Sequence, residues 1–387
     1  MKILIAFGAS VIDTTGGHEY VVQMLAENIA DKNHEVQIIC PSPYKRCSKI
    51  KKNGVKYLQI PTYEIVSRAR FIKPSFLRTT IQAIRGADAV HVHCPDSPFV
   101  FIIGILAKLL RKPLVVTILA YADDLKRSEP LFRLMGIVTV FQQTLTVLVA
   151  DKIHVESEYD LSKLHFYDRK TKLIPPGIGN DILTGVPSSG VITWLKAKIR
   201  QADDEKIVLY LGRIHKVKGL DHAIAAVARL REKGKKVKLV VAGPDGGFLK
   251  TAEQIAQQEG INDGFQYVGR VNEDQKLALL DISDVLVIPS LNDVVEAYSI
   301  VASEAWARKK PVVAYAVGAL KFRVIDGVNG YLAAPSDTDE LSEKLLLALY
   351  SFEEVKASSD IVDWQTSAQE FKKIYNELTK STSGETH

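Results

Sequence analysis

The sequence predicts an α/β protein with two Rossmann-like, doubly wound domains that face each other across a cleft. The chain has 387 residues, which is longer than a single hydrophobic core usually supports. Both halves alternate short β-branched runs with helical apolar patterns, which is typical of parallel sheets covered by helices. A segment rich in Pro, Gly and Ser, residues 175–190, separates the two halves.

The strand-like runs fall into two groups. The first half has runs at residues 2–8, 35–40, 55–60, 89–94, 113–119, 152–157 and 171–176. The second half has runs at residues 206–212, 238–243, 265–269, 285–290, 311–316 and 330–334. They predict a first domain of residues 1–180, a linker of residues 181–205 and a second domain of residues 206–361. Residues 362–387 are predicted to form a helix and tail that cross back to the first domain.

Composition excludes several classes of protein. The chain is 47% hydrophobic and 25% charged, as in globular proteins. Its longest apolar run, residues 99–107, is too short to span a bilayer, and the N-terminal sequence lacks a signal-peptide cleavage site. The 3 cysteines have no metal-type spacing and indicate a reducing compartment. We therefore expect a cytoplasmic protein.

Positive charge is concentrated in the first half, where residues 1–180 carry 24 Lys and Arg against 16 Asp and Glu. Two basic stretches, residues 44–56 and 65–86, contain no acid. Such stretches form solvated faces or bind anionic partners. No nucleic-acid partner is predicted. Because apolar residues interleave the second stretch, we expect peripheral binding to an anionic membrane surface through Arg68, Arg70, Lys73 and Arg78.

Two short segments could bind a phosphate. Arg213 and Lys218 lie between a predicted strand and a helix that starts near Gly219. A planar cation and a flexible one beside a helix N-terminus suit a diphosphate, although such a pair is more often surface charge. Gly16 and Gly17 precede another helix and leave backbone amides open to a phosphate, but a simple turn has the same pattern.

Two acids, Glu296 and Glu304, stand eight residues apart. On a helix this spacing spans roughly 12 Å, so the two carboxylates cannot hold one small group. Glu304 shares a core-facing stripe with Ile300 and Val301, where an acid requires a polar partner. Two interpretations remain open: a helix-start acid with a buried ion pair, or two carboxylates that hold opposite ends of one ligand.

Several motifs occur together in a fixed order. The second half contains LGRIHKVKGLD, VAGPDGG, VGRVNEDQKLALLDISDVLVIPS, EAYSIVASEAWARKKPVVAYAVG and VIDGVNGYLAA, and the first half contains TGGHEYVVQMLAENI, AVHVHC and KLIPPGI. Together they resemble glycosyltransferase family 4 over nearly the whole chain. The resemblance implies the two-domain GT-B fold and transfer of a sugar from a nucleotide donor, with retention of configuration and without a metal.

The resemblance also implies a role for individual residues. Arg213 and Lys218 would stabilise the leaving diphosphate, and Glu296 would contact the sugar hydroxyls, so these three are the predicted catalytic residues. Glu304 would hold the ribose. The predicted donor-binding set is Gly16, Gly17, Arg213, Lys218, Glu296, Ala297, Tyr298, Ser299, Ile300 and Glu304. The predicted acceptor-binding set is His18, His93, Asp123 and Asp124.

No cofactor and no metal are predicted. His91 and His93 share one face of a strand, and a metal or an acceptor there is conceivable. Asp337 and Asp339 form a D-x-D pattern that holds a metal in other transferases, but they precede a helix, where capping is the expected role.

Two positions depart from the family pattern. The family commonly has a His and a Gly after the fifth strand, whereas this chain has Ile118, Leu119 and Ala120. The family's Gly-Gly-x-x-Glu motif corresponds here to residues 318–322, which end in Phe322 and lack the acid.

Three functions therefore follow. The first is a glycosyltransferase with a UDP- or GDP-linked donor and a glycan or lipid-linked acceptor. The alternative is a non-catalytic chain that binds a nucleotide sugar or a partner enzyme. A nucleotide-sugar epimerase or a sugar phosphorylase of the same architecture is a further alternative.

Overall fold

The computed structural model describes residues 1–12, 16–42, 44, 46–64, 70–94, 96–121, 130–199, 204–356 and 361–384. The chain forms two compact units, each built around its own parallel sheet. The first unit comprises residues 1–177 and 362–387, and the second comprises residues 178–361. The C-terminal helix therefore belongs to the same unit as the N-terminus.

The strands of the described residues are β1 Lys2–Phe7, β2 Glu35–Pro41, β3 Ser48–Lys52, β4 Val55–Ile60, β5 Thr62–Glu64, β6 Arg70–Ile72, β7 Ala89–His93, β8 Leu114–Thr117, β9 Lys152–Val155, β10 Thr171–Leu173, β11 Lys206–Leu211, β12 Val237–Ala242, β13 Phe265–Gly269, β14 Val285–Ile288, β15 Val312–Tyr315 and β16 Gly330–Ala333. Each of the predicted strand-like runs coincides with one of them.

The helices are α1 Gly17–Ile29, α2 Leu77–Arg85, α3 Pro98–Leu109, α4 Pro130–Val149, α5 Glu158–Lys163, α6 Asn180–Thr184, α7 Ser189–Ile199, α8 Leu220–Glu232, α9 Leu249–Gln258, α10 Glu273–Ile282, α11 Ile300–Ala307, α12 Leu320–Arg323, α13 Thr338–Tyr350 and α14 Trp364–Gly384. Short 3-10 segments are Pro74–Phe76, His165–Lys170, Lys216–Lys218 and Asp293–Glu296.

The sheet of the first unit has the strand order β10-β9-β8-β7-β1-β2-β4-β3. Its pairs are parallel except β3 with β4. Strands β7 and β8 are buried along their whole length, as expected where helices cover both faces of a parallel sheet. Helix α14 packs beside α1 and reaches β7, so the C-terminal segment covers part of one face of this sheet.

Three strands of the first unit are absent from the sequence-based prediction. Strand β3 is the antiparallel edge of the sheet, and its exposed lysines Lys49, Lys51 and Lys52 protect an otherwise open edge. The first basic stretch is therefore largely a solvated edge. Strands β5 and β6 form a separate two-stranded hairpin.

The sheet of the second unit has the order β13-β12-β11-β14-β15-β16, with parallel pairing throughout. The expected linker of residues 181–205 needs correction. Its described part lies largely within α6 and α7, and Ile182, Leu195 and Ile199 join the core of the second unit. The apolar side chains of this segment are spaced as in packed helices. Their burial stabilises α6 and α7, so the segment is part of the second unit and not an exposed linker.

No helix within the described ranges combines the length and the apolar character needed to cross a bilayer.

Candidate functional site

The predicted catalytic residues of the second unit include a close ion pair. The ammonium nitrogen of Lys218 lies 2.6 Å from Oε1 of Glu296 and 3.3 Å from the carbonyl oxygen of Val295. The hydroxyl of Ser290 donates to the same carboxylate oxygen at 2.7 Å. Glu296 is only 2% exposed, so Lys218 and Ser290 supply the partners that a buried carboxylate requires.

Two glycines let the surrounding loops approach each other. Gly219 is the N-cap of α8 and has a φ of 68°, and a Cβ there would collide with the carbonyl oxygen of Pro289. Gly318 has a φ of 51°, and a Cβ there would collide with the carbonyl oxygen of Glu296. Only glycine adopts these positions without strain. The loops after β11, β14 and β15 therefore meet around Glu296.

Asp293 fastens the 3-10 segment that carries Glu296. Its Oδ1 accepts hydrogen bonds from the backbone N–H of Gly318 at 2.7 Å and from the ammonium of Lys321 at 3.0 Å. The N–H of Ala319 donates to the carbonyl oxygen of Glu296 at 2.8 Å. The backbone around Glu296 is thus held from the loop between β15 and α12.

Arg213 follows β11 and is exposed. Among the described residues its guanidinium makes no hydrogen bond or ion pair. Arg213 is therefore a cation open to a solution anion, whereas Lys218 already contacts an acid. The sequence predicted both residues at this loop but did not distinguish their surroundings.

Glu304 lies in α11 and has the polar partner that its buried position requires. Its Oε1 lies 2.6 Å from the ammonium nitrogen of Lys276 in α10. Lys276 also pairs with Glu273 at 2.8 Å. Burial raises the pKa of the Glu304 carboxyl although Lys276 opposes the shift. Burial favours neutral Lys276, but Glu304 and Glu273 outweigh it and raise the pKa of the ammonium.

The backbone between the two acids turns sharply at Ser299, which has φ 72° and ψ 79° immediately before α11. The side chains of Ala297 and Tyr298 are buried. The ring of Tyr298 lies 3.9 Å from the guanidinium carbon of Arg323. These predicted donor-binding residues therefore offer a ligand mainly their backbone.

In the loop before α1, an acidic side chain lies against one of the two glycines that were predicted to bind a phosphate. Gly16 and Gly17 stand at the helix start, and Gly17 is exposed. The carboxylate of Glu19 folds back against Gly16, because a Cβ on Gly16 would meet its Oε2. An anionic ligand at this helix terminus would have to displace that carboxylate. His18 is exposed in the same first turn, where an acceptor could reach it.

The expectation for His93 as an acceptor contact needs correction, because its ring is only 2% exposed. Helix α14 covers this part of the sheet, and His93 lines a small cavity with His154, Glu156, Trp364 and Phe371. Its Nε2 has no hydrogen-bond partner within the described residues. Burial lowers the pKa of His93 well below the usual value.

Beside His93, a chain of hydrogen bonds crosses the sheet. The two ring nitrogens of His91 lie 2.7 Å from the hydroxyls of Tyr375 and Thr117. The Thr117 hydroxyl also lies 2.9 Å from Nδ1 of His154. These contacts attach α14 to the sheet, which explains His91 as a packing and hydrogen-bonding residue.

The remaining residues singled out in the sequence are two aspartates of the acceptor set, the D-x-D pair and Leu119. Asp123 and Asp124 lie outside the described residues. Asp337 accepts hydrogen bonds from the N–H groups of Asp339 and Glu340 at 3.1 and 2.9 Å, so it caps α13 as expected. Leu119, where the family commonly has a polar contact, is buried.

Sequence reasoning missed three polar residues of this region, which are Ser290, Lys276 and Arg323. A buried partner for Glu304 was expected, but no sequence spacing identified α10 as its source. Arg323 follows the position of the missing family acid and ends the four-residue helix α12, and no sequence pattern marks it as buried.

Comparison with known families agrees with this division into two units. The family described as glycosyl transferases group 1 matches residues 192–357. The glycosyl transferase 4-like domain matches residues 16–177. The chain therefore belongs to the glycosyltransferases of the family 4 type.

Relatives match over nearly the whole chain. An uncharacterized glycosyltransferase of Methanocaldococcus jannaschii is 27% identical, with 93% of this chain and 94% of that protein covered. The phosphatidyl-myo-inositol mannosyltransferase of Mycolicibacterium smegmatis is 23% identical, with 95% and 92% covered.

Solved structures match the fold. Sucrose-phosphate synthase from Thermosynechococcus elongatus has a TM-score of 0.75 at 19% identity, with 98% of this chain and 99% of that chain covered. HepE of Anabaena in complex with UDP-glucose has a TM-score of 0.70 at 17% identity, with 99% and 100% covered. The predicted GT-B fold is confirmed.

Proposed function

We propose that this glycosyltransferase moves a hexose from a UDP- or GDP-linked donor to a glycan or a lipid-linked acceptor, with retention of configuration and without a divalent metal. The observation that carries the proposal is the cationic loop after β11. There Arg213 is open to solution, and Lys218 lies 2.6 Å from the buried Glu296.

The proposed chemistry requires stabilisation of a leaving group. When the bond between the anomeric carbon and the diphosphate oxygen breaks, negative charge develops on the diphosphate. Cations that are already in place stabilise this charge without reorganisation. Arg213 would bind the diphosphate through its planar donors, and Lys218 would exchange part of its contact with Glu296 for a phosphate oxygen.

The two acids would then hold different parts of the donor. Glu296 would accept hydrogen bonds from sugar hydroxyls, and Glu304 would accept them from the ribose. Both carboxylates have a lysine partner in the free protein, Lys218 and Lys276. A carboxylate that keeps one oxygen on a lysine has further lone pairs for a hydroxyl.

The relatives support the substrate classes. HepE was solved with UDP-glucose, which favours a nucleotide-sugar donor here. The mannosyltransferase of Mycolicibacterium smegmatis is named for a phosphatidyl-inositol acceptor, which favours a lipid-linked acceptor for the first unit. Of the members of the predicted acceptor set that the structure describes, His18 is the exposed one.

A lipid-linked acceptor would bring the first unit to a membrane surface. In the second basic stretch Arg78 is exposed, together with Phe71 and Leu77. Arg70 instead donates to the carbonyl oxygen of Gly8 at 3.0 Å. The Lys73 ammonium lies 5.0 Å from the ring centre of Tyr63. Arg68 lies outside the described residues. We propose that the exposed members provide the membrane contact.

The alternative is a non-catalytic chain that binds a nucleotide sugar. The observation that favours it is the buried apolar Leu119 where the family commonly places a polar sugar contact. Turnover separates the two functions, because a binding protein retains the donor unchanged.

The test is a thermal-shift panel of UDP, GDP, ADP and their glucose and mannose conjugates, followed by turnover measurements with the ligand that stabilises most. A ligand that binds only the folded chain raises its melting temperature. We expect stabilisation by one nucleotide, sugar release or transfer, and equal rates with EDTA. The absence of any shift would contradict donor binding, and loss of turnover in EDTA would contradict metal independence.

A further inference from the structure

The turn before α11 stores backbone strain. Ser299 has a φ of 72°, a left-handed conformation that costs a non-glycine residue free energy. Its buried hydroxyl has no hydrogen-bond partner among the described residues. The side chain of Ser299 therefore does not explain why the turn persists, and another group must hold it.

Arg323 is that group. This arginine of α12 is only 6% exposed. Its Nη1 donates to the carbonyl oxygens of Tyr298 at 2.6 Å and Ser299 at 3.1 Å. Its Nη2 donates to the hydroxyl of Ser303 at 2.7 Å.

Aromatic rings hold the guanidinium in place. Its carbon lies 3.9 Å from the ring centre of Tyr298 and 5.0 Å from that of Trp306. The indole N–H of Trp306 donates to the carbonyl oxygen of Asn329 at 2.7 Å, and the Asn329 amide donates to the carbonyl oxygen of Arg323 at 2.9 Å. The planar fork of Arg323 is therefore held by two aromatic rings and three hydrogen bonds, which a lysine would not reproduce.

The direction of the carbonyl groups determines the direction of the N–H groups. In a trans peptide the C=O and the following N–H point in opposite directions. Because the carbonyls of Tyr298 and Ser299 point at Arg323, the N–H groups of Ser299 and Ile300 point away from it. Neither N–H group has a hydrogen-bond acceptor within the described residues. Both lie at the positive end of α11.

We infer that Arg323 is a positioning residue that holds Ser299 in its left-handed turn, so that the N–H groups of Ser299 and Ile300 face the diphosphate of the donor. This inference rests on the proposed function, since it concerns the same donor. Arg323 does not touch the ligand. It acts through the backbone of the turn, and its buried positive charge favours an anion at the helix terminus.

The test compares Arg323→Lys with Arg229→Lys, a matched replacement in α8, where Arg229 pairs with Asp339. The probe is whichever of UDP, GDP and ADP stabilises the wild-type chain, together with the matching nucleoside. We expect Arg323→Lys to weaken diphosphate binding about tenfold or more, since charge-assisted hydrogen bonds carry energies of that size. Nucleoside binding and Arg229→Lys should stay near wild type.

A second replacement distinguishes positioning from general damage to the fold. Glycine adopts the left-handed conformation without strain, so Ser299→Gly combined with Arg323→Lys should recover much of the lost diphosphate affinity. Equal losses for diphosphate and nucleoside, or no recovery by Ser299→Gly, would overturn the inference.

Hydrogen exchange decides the inference independently of any ligand. Arg323→Lys should speed amide exchange in the peptide that contains Ser299 and Ile300, chiefly at Ala302, whose N–H donates to the carbonyl oxygen of Ser299 at 3.2 Å. Unchanged exchange in that peptide would overturn the positioning role. If the wild-type chain binds no nucleotide but exchange changes as expected, the proposed function fails and the positioning of the turn stands.

Discussion

The ammonium nitrogen of Lys218 lies 2.6 Å from Oε1 of Glu296, and the carboxylate is buried while the lysine side chain is 25% exposed. The cation proposed for the diphosphate and the acid proposed for the sugar are thus one ion pair in the free chain. A donor phosphate would compete with Glu296 for Lys218. This competition makes the two roles separable by mutation.

We expect Glu296→Gln to tighten binding of the free nucleoside diphosphate by about threefold to tenfold, because a neutral amide releases Lys218 for a charge-assisted contact with phosphate. Turnover should fall by about 10²-fold, the usual effect of losing one group that acts in the transition state. Calorimetric titration and initial rates give both values. Glu343→Gln, which removes an exposed acid of α13, is the control. Weaker diphosphate binding by Glu296→Gln would contradict the competition.

The ion pair of Glu304 and Lys276 predicts a pH-dependent stability defect. Lys276→Met leaves the buried Glu304 without its cation, and breaking such a pair typically costs about 3–5 kcal/mol. Burial already raises the pKa of Glu304, and the loss of Lys276 raises it further. A raised folded-state pKa gives stability that is present at low pH and lost as pH rises through that pKa. Urea unfolding should therefore show a larger defect at pH 8 than at pH 5.

The double variant Lys276→Met with Glu304→Gln tests this explanation, because it removes both charges. Its stability should return towards the wild-type value and lose the added pH dependence. A defect of equal size at pH 5 and pH 8 in Lys276→Met would indicate lost packing instead of an unpaired charge.

Most of the fold follows from patterns in the sequence, and much of the site geometry does not. Buried β-branched runs such as residues 285–288 and 312–315 identify parallel strands, since both faces of these strands are covered. Strand β3 was missed because its exposed lysines carry no apolar alternation. Its place at the edge depends on pairing with β4.

The candidate site could likewise be predicted only in part from the sequence. The positions of Arg213, Lys218 and Glu296 after strands could be predicted, since loops at the carboxyl ends of parallel strands lie together. The partnership of Glu304 with Lys276 could not, because it joins residues 28 apart on two helices. His93 was misjudged because the sequence does not reveal that α14 covers β7.

Ala120 provides a test of strain in the first unit. Its φ is 51°, and its N–H donates to Oδ1 of Asp160 at 2.7 Å. Left-handed backbone costs an L-residue roughly 1–2 kcal/mol, while glycine loses more entropy on folding. We expect Ala120→Gly to raise the free energy of unfolding slightly. Denaturant titration measures it, with Ala150→Gly after α4 as the control. Destabilisation of both variants by the same amount would contradict strain at Ala120.

The buried histidines and Glu156 predict a stability optimum for the first unit. Burial lowers the pKa of His154 to about 4, and lowers those of His91 and His93 well below the usual value. Their contribution is present above the unfolded pKa near 6.5 and is lost as pH falls. Burial and the nearby Asp160 raise the pKa of Glu156 to about 8, so its contribution is lost as pH rises towards 8.

Stability should therefore peak near pH 6.5 and fall above it by at most about 1.4 kcal/mol per pH unit through Glu156. Glu156→Gln should flatten the curve between pH 6.5 and 8 and steepen the rise between pH 5 and 6.5, because the raised pKa of this carboxyl opposes the effect of the histidines there. Unfolding of both proteins across pH 5–8 provides the comparison. A parallel decline of variant and wild type above pH 6.5 would show that Glu156 ionises in the folded chain.

The exposed part of the second basic stretch predicts binding to anionic lipid. Arg78 and Arg85 are exposed on α2, and Phe71 and Leu77 are exposed close by in the chain. Basic residues near an anionic surface contribute about 1 kcal/mol each, so Arg78→Ser with Arg85→Ser should weaken vesicle binding by roughly 30-fold. Co-sedimentation with phosphatidylcholine vesicles, with and without phosphatidylglycerol, measures it at low and high salt. Binding should need phosphatidylglycerol and fall as salt screens the charges.

The matched control removes two charges elsewhere in the same unit, Lys49→Ser with Lys51→Ser on the edge strand β3. If net charge alone drives binding, both double variants should lose the same amount of affinity for anionic vesicles. If α2 is the contact, the control stays near wild type, and Phe71→Ser with Leu77→Ser also weakens binding, because apolar side chains insert at the headgroup boundary. Equal recovery of the wild-type chain from both vesicle types at low salt would contradict membrane docking and leave the donor site untouched.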